Sequence, residues 1–432
     1  MAILIALIEA PRRAPLKFNT RGITLSLVPT GARVFSPSVI RDLGNQLGEA
    51  ELKMNSLSLT LNELETIIIV VKPLDPSLPP LCHALCKMLM RKSPRITILL
   101  DHSYQHDKLF AYQRLVRAHP PARHQIQFYD VDVMRHQSLH DAETIDDNAR
   151  AKRLVITLGG DGTVLFTSGI FQGLVPPVLS FALGSLGFLT NFAWADRDAI
   201  LDRVLDPKGP GFRVNLRQRF EAVLYRRVSH PKPQHRRHHS RPSYDYAMHG
   251  GWSTPTTHYP KVGAAMTAVA QSLVLNEVVI DRGPNASMVS LEVWVDALHL
   301  TTILADGLVV ATSTGSTAYS LSAGGSLMHP MSGMLVTPIC PHTLTARPMV
   351  LPYAVELRIC LTANARTAAW VSFDGRERTE LREGDVLTIG SGRFPFLSLC
   401  ETGQSVDWFR SIMSGLGWNQ RVQQKPFGPR DM

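Results

Sequence analysis

The chain has 432 residues, 44% hydrophobic and 19% charged, with a net charge of +9 at pH 7. That length exceeds what one hydrophobic core commonly fills, and no run approaches the ~20 apolar residues of a membrane span, so two folded cores and no membrane insertion are expected. The basic excess is local. Six Lys/Arg stand against Glu9 in residues 1–41 and seven against Asp245 in residues 226–262, which leaves the remaining chain near neutral and argues against a nucleic-acid partner for the folded body. Five cysteines, odd in number and without CxxC spacing, argue against a disulfide framework and for a reducing compartment.

Taken in chain order, residues 1–45 are rich in Arg, Ser and Thr and nearly free of acids. This is the composition of a mitochondrial transit peptide, so the mitochondrial matrix is the expected location, with the cytoplasm as the alternative. From Thr66 the chain reads "TIIIVVK", a β-branched strand, then "LCHALCKMLM" at helical spacing, then "RITILLD", a strand again. "LVITL", "TVLFTSGIF" and "PPVLSFAL" repeat strand, helix and strand, so residues 46–195 are expected to form an α/β domain with a parallel sheet. Beyond Asp206 the runs are short and alternating, as in "FEAVLYR", "SLEVWVD" and "DVLTIG", and residues 196–400 are assigned to an all-β sandwich. A Pro-, His- and Arg-rich stretch over 228–262 reads as a disordered basic insertion whose histidines lack metal-ligand spacing. Residues 401–432 form a C-terminal tail expected to pack back on the N-terminal domain.

In "LGGDGT" the strand ends at Leu158. Gly159, Gly160 and Gly162 can take positive φ and let backbone N–H groups approach a ligand, and Thr163 can cap the next helix, so the turn reads as a phosphate loop. Asp161 would repel an anion there. It makes sense as a base for an attacking hydroxyl or as a partner of a cation beside phosphate. A second stretch, "ADGLVVATSTGSTAYSLSAGG" (305–325), runs from a strand into small and hydroxyl residues: Thr314, Ser316, Thr317, Ser320 and Ser322 offer hydrogen bonds and Tyr319 offers a face to a base. In "LNEVVIDRG", Asn276 and Glu277 are adjacent in an apolar strand, so one is expected to face a pocket and the other solvent. No GxxxxGK[ST], GxGxxG, HRD or DFG pattern is present.

Together "GGDGT", "FALGSLGFLTNF", "LNEVVIDRG" and "DGLVVATSTGSTAYSLSAGG" resemble the NAD kinase family, from about Ile67 to Trp418. GGDGT alone is also found in diacylglycerol and sphingosine kinases, which lack the TGSTAYSLSAGG element. "TPICPHTLTARPMVLP" and "DWFRSIMSGLGWNQ" look most like the fungal mitochondrial NADH kinases. The resemblance implies an α/β domain plus β-sandwich of the NAD kinase and diacylglycerol kinase type. The implied activity is ATP-dependent phosphorylation of the adenosine ribose 2′-hydroxyl of NAD⁺ or NADH, with Mg²⁺ accompanying ATP, no tightly bound cofactor and no assigned metal ligands. It implies Asp161 as the catalytic carboxylate, and Gly162, Phe188, Asn276, Glu277, Asp306, Thr317, Ala318, Tyr319 and Ser322 as dinucleotide contacts. It also implies a homo-oligomer, dimeric or tetrameric. Two departures, "LTAR" before Arg347 and Arg376 in "SFDGRE", fall at peripheral contacts. A lipid or other small-molecule kinase and a non-catalytic dinucleotide sensor are the competing readings.

Overall fold

The strand that opens the described chain lies beside one drawn from much further along it, and this interleaving governs the architecture. The computed structural model describes residues 57–418 apart from 62–63, 73–74, 145–151, 228–261, 263–265, 331–332, 344 and 364. The expected transit segment 1–45 and nearly all of the 228–262 insertion therefore lie outside the described residues. The first elements are β1 (Ser58–Leu59), β2 (Thr66–Val71), α1 (Leu78–Lys92), β3 (Thr97–Asp101), α2 (Tyr112–Ala118), α3 (Ala122–Gln125), β4 (Ile126–Tyr129), α4 (Val131–Thr144), β5 (Arg153–Gly159), α5 (Asp161–Ile170), β6 (Val178–Ala182), β7 (Phe192–Ala193), α6 (Arg197–Leu205) and β8 (Phe212–Arg217). The sandwich strands follow: β9 (Phe220–Arg227), β10 (Met266–Val274), β11 (Glu277–Asp281), β12 (Val289–Val295), β13 (Leu298–Ala305) and β14 (Gly307–Thr312). After a one-turn helix, α7 (Tyr319–Ser322), come β15 (Gly333–Ile339), β16 (Met349–Pro352), β17 (Leu357–Leu361), β18 (Ala369–Phe373), β19 (Arg376–Leu381) and β20 (Val386–Ser391). The last elements are β21 (Phe396–Cys400) and α8 (Gln404–Gly415).

The first sheet runs β1-β8-β21-β6-β5-β2-β3-β4, with β7 also on β6. Its centre, β4-β3-β2-β5-β6, is parallel. β2 shows why these residues make such strands: Ile67, Ile69 and Val71 pack into the core on one face, and Ile68 and Val70 into the core on the other. A strand buried on both faces reads as an unbroken apolar run, which is the pattern of "TIIIVV". Both β5 and β6 end at the same edge, at Gly159 and Ala182, so the loops that follow them converge.

The sandwich consists of β10-β9-β20-β17-β12-β13 facing β16-β15-β14-β11-β18-β19, with the ladders in both sheets antiparallel. Phe220, Leu224, Leu291 and Val293 of one sheet share a core with Val278, Ile280, Leu308 and Val310 of the other. The division of the sequence at residue 195 needs correction here. α6 and β8 follow that point yet belong to the α/β half, and β21 also joins the first sheet, parallel to β6 and antiparallel to β8. Phe212, Val214 and Leu399 lie in the α/β core, and alternation alone does not tell a strand which of two sheets it will join. Among the described residues no helix is long and apolar enough to cross a membrane.

Arg219, fully buried between β8 and β9, fastens the two halves. Its guanidinium donates to the carbonyls of Phe171 and Gly173 after α5 and of Phe394 before β21, each at 2.7 Å. Its own carbonyl accepts from the Tyr353 hydroxyl and from Gly392 N–H. Desolvation pulls its pKa down to about 10, so the group stays charged at neutral pH. In Arg219→Met three carbonyls lose their donor, and at about 1–3 kcal/mol for each of the two in buried bonds a loss of at least about 2 kcal/mol is expected in denaturant unfolding. A loss under about 1 kcal/mol would show that the carbonyls find other partners.

Candidate active site

The β5–α5 turn is made by one glycine conformation. Gly159 has φ +149°, and a Cβ there would meet Thr163 Oγ1 at 2.2 Å. Gly160 is extended and caps α5 without a side chain, and Gly162 already lies within the helix. The expected positive φ at all three glycines is therefore confined to Gly159. Thr163 is not the cap either. It is the third residue of α5, buried, and its hydroxyl has no partner. The glycines let the chain turn sharply enough for α5 to begin on Asp161 itself, whose charge suits a helix N-terminus.

The Asp161 carboxylate reaches the loop after β6. It accepts from Phe188 N–H on Oδ2 at 2.9 Å, from Leu189 N–H on Oδ1 at 3.0 Å and from the Thr190 hydroxyl at 3.2 Å. A Cβ at Gly187 would stand 2.1 Å from Oδ1, so only glycine permits this approach. A carboxylate offers about four acceptor positions, and three are used, two of them on Oδ1. Phe188, half-buried, donates to Asp161 while its carbonyl accepts from Arg217 Nη2 at 2.9 Å. The loop is closed from behind by α8, whose Ser411 hydroxyl donates to the Gly187 carbonyl at 3.1 Å, while Ser405 on the same helix meets the His329 ring at 2.9 Å.

Asn276 and Glu277 depart from the one-in, one-out expectation: they are 6% and 8% exposed. The strand of the sequence reading is two strands. β10 pairs in one sheet and β11 in the other, so the chain crosses between sheets at Leu275–Asn276 and both side chains turn inward. The crossing is held by Asp374, which accepts from Leu275 N–H at 2.9 Å, Asn276 N–H at 2.7 Å and Glu277 N–H at 3.2 Å. Asp374 and Gly375 both have positive φ, the geometry of a two-residue hairpin between β18 and β19. Asn276 Oδ1 and Glu277 Oε2 are buried without partners. Burial, and then the charge of Asp374, push the Glu277 carboxyl up to about 8.

The 312–325 segment packs on this crossing. Thr312 N–H donates to Asn276 O at 2.8 Å, and a Cβ on Gly315 would meet that oxygen at 2.3 Å. Several hydroxyls expected to serve a ligand serve the protein. Ser316 donates to Ser313 O, Thr317 to Thr314 O, and Ser320 bonds Thr337. Ala318 is the N-cap position before α7, and Tyr319 and Ser322 on that turn remain exposed, Tyr319 at 43%. Burial is the first cause raising the Tyr319 hydroxyl, followed by the charges of Asp281, Cys340, Asp306 and Glu277. Asp306 is paired with Arg282 at 3.1 Å. Neither Arg347 nor Arg376 takes that place: Arg347 is exposed and Arg376 lies over the Phe166 ring at 4.9 Å.

Sequence reasoning passed over Arg217, Asp374, Thr190 and Arg282. The Asp-Gly pair between two strand runs signals the Asp374 turn. For Arg217 no signal exists, because an arginine in an alternating strand ordinarily faces water.

A glycine turn bearing a carboxylate at the carboxyl edge of a parallel sheet, joined to a β-sandwich, is the architecture that the sequence resemblance to NAD kinases implies. Two family models match this chain, the ATP-NAD kinase N-terminal domain over 67–208 and the ATP-NAD kinase C-terminal domain over 275–399. The chain belongs to the NAD kinase family. It is 38% identical over 370 residues to the NAD(+) kinase of Saccharomyces cerevisiae, covering 84% of this chain and 62% of that protein. To the ATP-NADH kinase of the same yeast it is 37% identical over 367 residues, covering 84% and 66%. The matches thus span less than two thirds of the length of these curated relatives. The crystal structure of yeast NADH kinase complexed with NADH superposes with a TM-score of 0.62 at 25% identity, covering 84% of this chain and 91% of that one. An NAD kinase from Archaeoglobus fulgidus in complex with ATP shares the fold, with a TM-score of 0.50 at 17% identity over 81% of this chain and 99% of that one.

The raised Glu277 carboxyl makes stability depend on pH. Between its ordinary value of 4.5 and about 8 the folded chain holds a proton that the unfolded chain has released. Its contribution is therefore present in full at low pH and is lost as pH rises towards 8. In Glu277→Gln the difference in unfolding free energy between about pH 5 and pH 8.5 is expected to shrink by on the order of a few kcal/mol. An unchanged difference would remove Glu277 as its source.

Proposed function

We propose that this chain transfers the γ-phosphate of ATP to the 2′-hydroxyl of the adenosine ribose of NADH and NAD⁺, with NADH preferred. The observation that carries this reading is Asp161: a carboxylate at the first turn of a helix, in a glycine turn, gripping the very loop that the family resemblance assigns to the dinucleotide. Relatives named as NAD(+) kinase and ATP-NADH kinase, and a structural neighbour described as holding NADH, support it.

In the proposed reaction the 2′-oxygen attacks the γ-phosphorus, the bond from that phosphorus to the bridging β–γ oxygen breaks, and ADP leaves. The hydroxyl proton passes to Asp161, whose remaining acceptor position lies on Oδ2. Mg²⁺ enters with ATP as part of the substrate and commonly takes one or two carboxylates alongside the phosphates, and Asp161 is the carboxylate of the glycine turn. Gly162, exposed beside Asp161, leaves open space where a side chain would stand. Phe188, Asn276, Glu277, Asp306, Thr317, Ala318, Tyr319 and Ser322 are the proposed dinucleotide contacts.

The preference for NADH has a charge argument. The two dinucleotides differ at the nicotinamide ring, cationic in NAD⁺ and neutral in NADH. The family resemblance implies that Asp306 reaches the nicotinamide end, often across a subunit boundary; unpaired it would favour the cation, and its pairing with Arg282 removes much of that advantage. With MgATP both forms should react and kcat/KM should be higher for NADH. Asp161→Asn should keep the fold and lower kcat by roughly 10²- to 10⁴-fold. Absence of turnover with either dinucleotide would refute the kinase reading, and near wild-type turnover of Asp161→Asn would refute the role of that carboxylate.

A mitochondrial location and a homo-oligomeric state are proposed on the composition of residues 1–45 and on the family resemblance respectively. Residues 1–45 fused to a reporter should direct it to mitochondria, and light scattering should give a mass at least twice that of one chain. A cytosolic reporter and a single-chain mass would count against the two proposals in turn.

A further inference from the structure

Arg217 closes β8 at the point where four parts of the chain meet. The peptide group between Phe188 and Leu189 gives its N–H, that of Leu189, to Asp161 Oδ1 at 3.0 Å, and its carbonyl, that of Phe188, accepts from Arg217 Nη2 at 2.9 Å. One amide therefore has an anion on its donor end and a cation on its acceptor end, which fixes its orientation more firmly than either bond alone. The same guanidinium extends Nη1 to Thr314 Oγ1 at 3.5 Å, at the head of the second motif and in the other half of the molecule. Arg217 is 7% exposed and its Nε is buried without a partner. Burying a guanidinium is costly, and one left partly unsatisfied is not explained by packing, which an apolar side chain would serve better. Burial opposes its charge, and Asp161 is the first of the groups that sustain it, ahead of Cys400 and Asp407.

We propose that Arg217 is a positioning residue for phosphoryl transfer, holding the 187–190 loop against Asp161 and tying both to Thr314, so that the bound ribose meets the carboxylate in register. This rests on the kinase reading above. Arg217 acts through Phe188 and Thr314. Its loss is expected to misplace the loop by a fraction of an ångström to an ångström, a displacement that lowers turnover far more than it lowers affinity.

The test uses the full chain with NADH and MgATP, comparing wild type, Arg217→Lys and Arg217→Met for kcat, KM, NADH affinity by fluorescence and melting temperature. Lysine can restore a cation at the Phe188 carbonyl but not the second reach to Thr314. The expected kcat is roughly tenfold below wild type for Arg217→Lys and roughly a hundredfold below for Arg217→Met, with smaller changes in NADH affinity. A kcat for Arg217→Lys within threefold of wild type overturns the proposal, as does a folded Arg217→Met that turns over as fast as Arg217→Lys. If Arg217→Met does not fold, the lysine variant decides alone by the same threshold. A wild type that binds NADH but does not phosphorylate it overturns the kinase reading instead, which keeps the two failures distinct.

Discussion

The sandwich half depends on one carboxylate that no substrate needs to touch. Asp374 sits in a tight hairpin turn and takes the backbone N–H groups of Leu275, Asn276 and Glu277, the three residues at which the chain leaves one sheet and enters the other. A strand crossing between sheets abandons its ladder partners, and buried N–H groups without acceptors would each cost about 1–3 kcal/mol. Asp374 replaces those partners with a single side chain. Its own burial raises its pKa, and the three donors act against that rise. The crossing then fixes two other features: the inward placement of Asn276 and Glu277, and the close seat of Gly315, where a side chain would collide with the Asn276 carbonyl.

The same device recurs across the molecule. Asp161 is satisfied mainly by N–H groups of the loop after β6, Arg217 donates to a carbonyl of that loop, and Arg219 donates to three carbonyls from segments distant in sequence. These charges are spent on backbone that lies outside regular ladders. Loops near a ligand site cannot satisfy their peptides by pairing with one another without closing the site, so side-chain charge does it while leaving the surface open. The groups differ in how completely they are satisfied. Asp374 and Arg219 leave no buried side-chain atom without a partner and hold the scaffold, whereas Glu277, Asn276 and Arg217 each keep one. Unpaired buried polar atoms are unusual in a scaffold and concentrate where a fold has been arranged for something other than stability.

Much of this was legible in the sequence. The apolar runs of β2, β5 and β6 announce strands covered on both faces, and a glycine turn carrying Asp161 between strand and helix announces a site. What the sequence did not disclose is pairing over long separations. β21 and β8 alternate as sandwich strands do, and only the first sheet's open edge decides their place. "QSLVLNEVVI" reads as one strand because a crossing at Leu275–Asn276 leaves no composition signal; its cause, Asp374, lies about a hundred residues on. The hydroxyls of 312–325 looked like ligand groups because small residues are needed equally for a ligand and for a tight internal turn, and here Ser316, Thr317 and Ser320 serve the turn. Buried arginines were invisible for a simpler reason, since arginine in a strand normally means solvent.

Charge placement also bears on the proposed preference for the reduced dinucleotide. A lone carboxylate near the nicotinamide ring would stabilise a cation by an amount that falls with exposure, and Asp306 is 37% exposed. Arg282 at 3.1 Å converts that monopole into a dipole, whose field decays faster with distance, so the pair draws a cation less than a lone carboxylate would. Glu277 works in the same direction. A carboxyl held neutral by burial up to about pH 8 supplies hydrogen bonds without a negative charge. In the proposed site the paired Asp306 and the protonated Glu277 offer a cation little compensation for the water it gives up, and that cost falls on NAD⁺ but not on NADH.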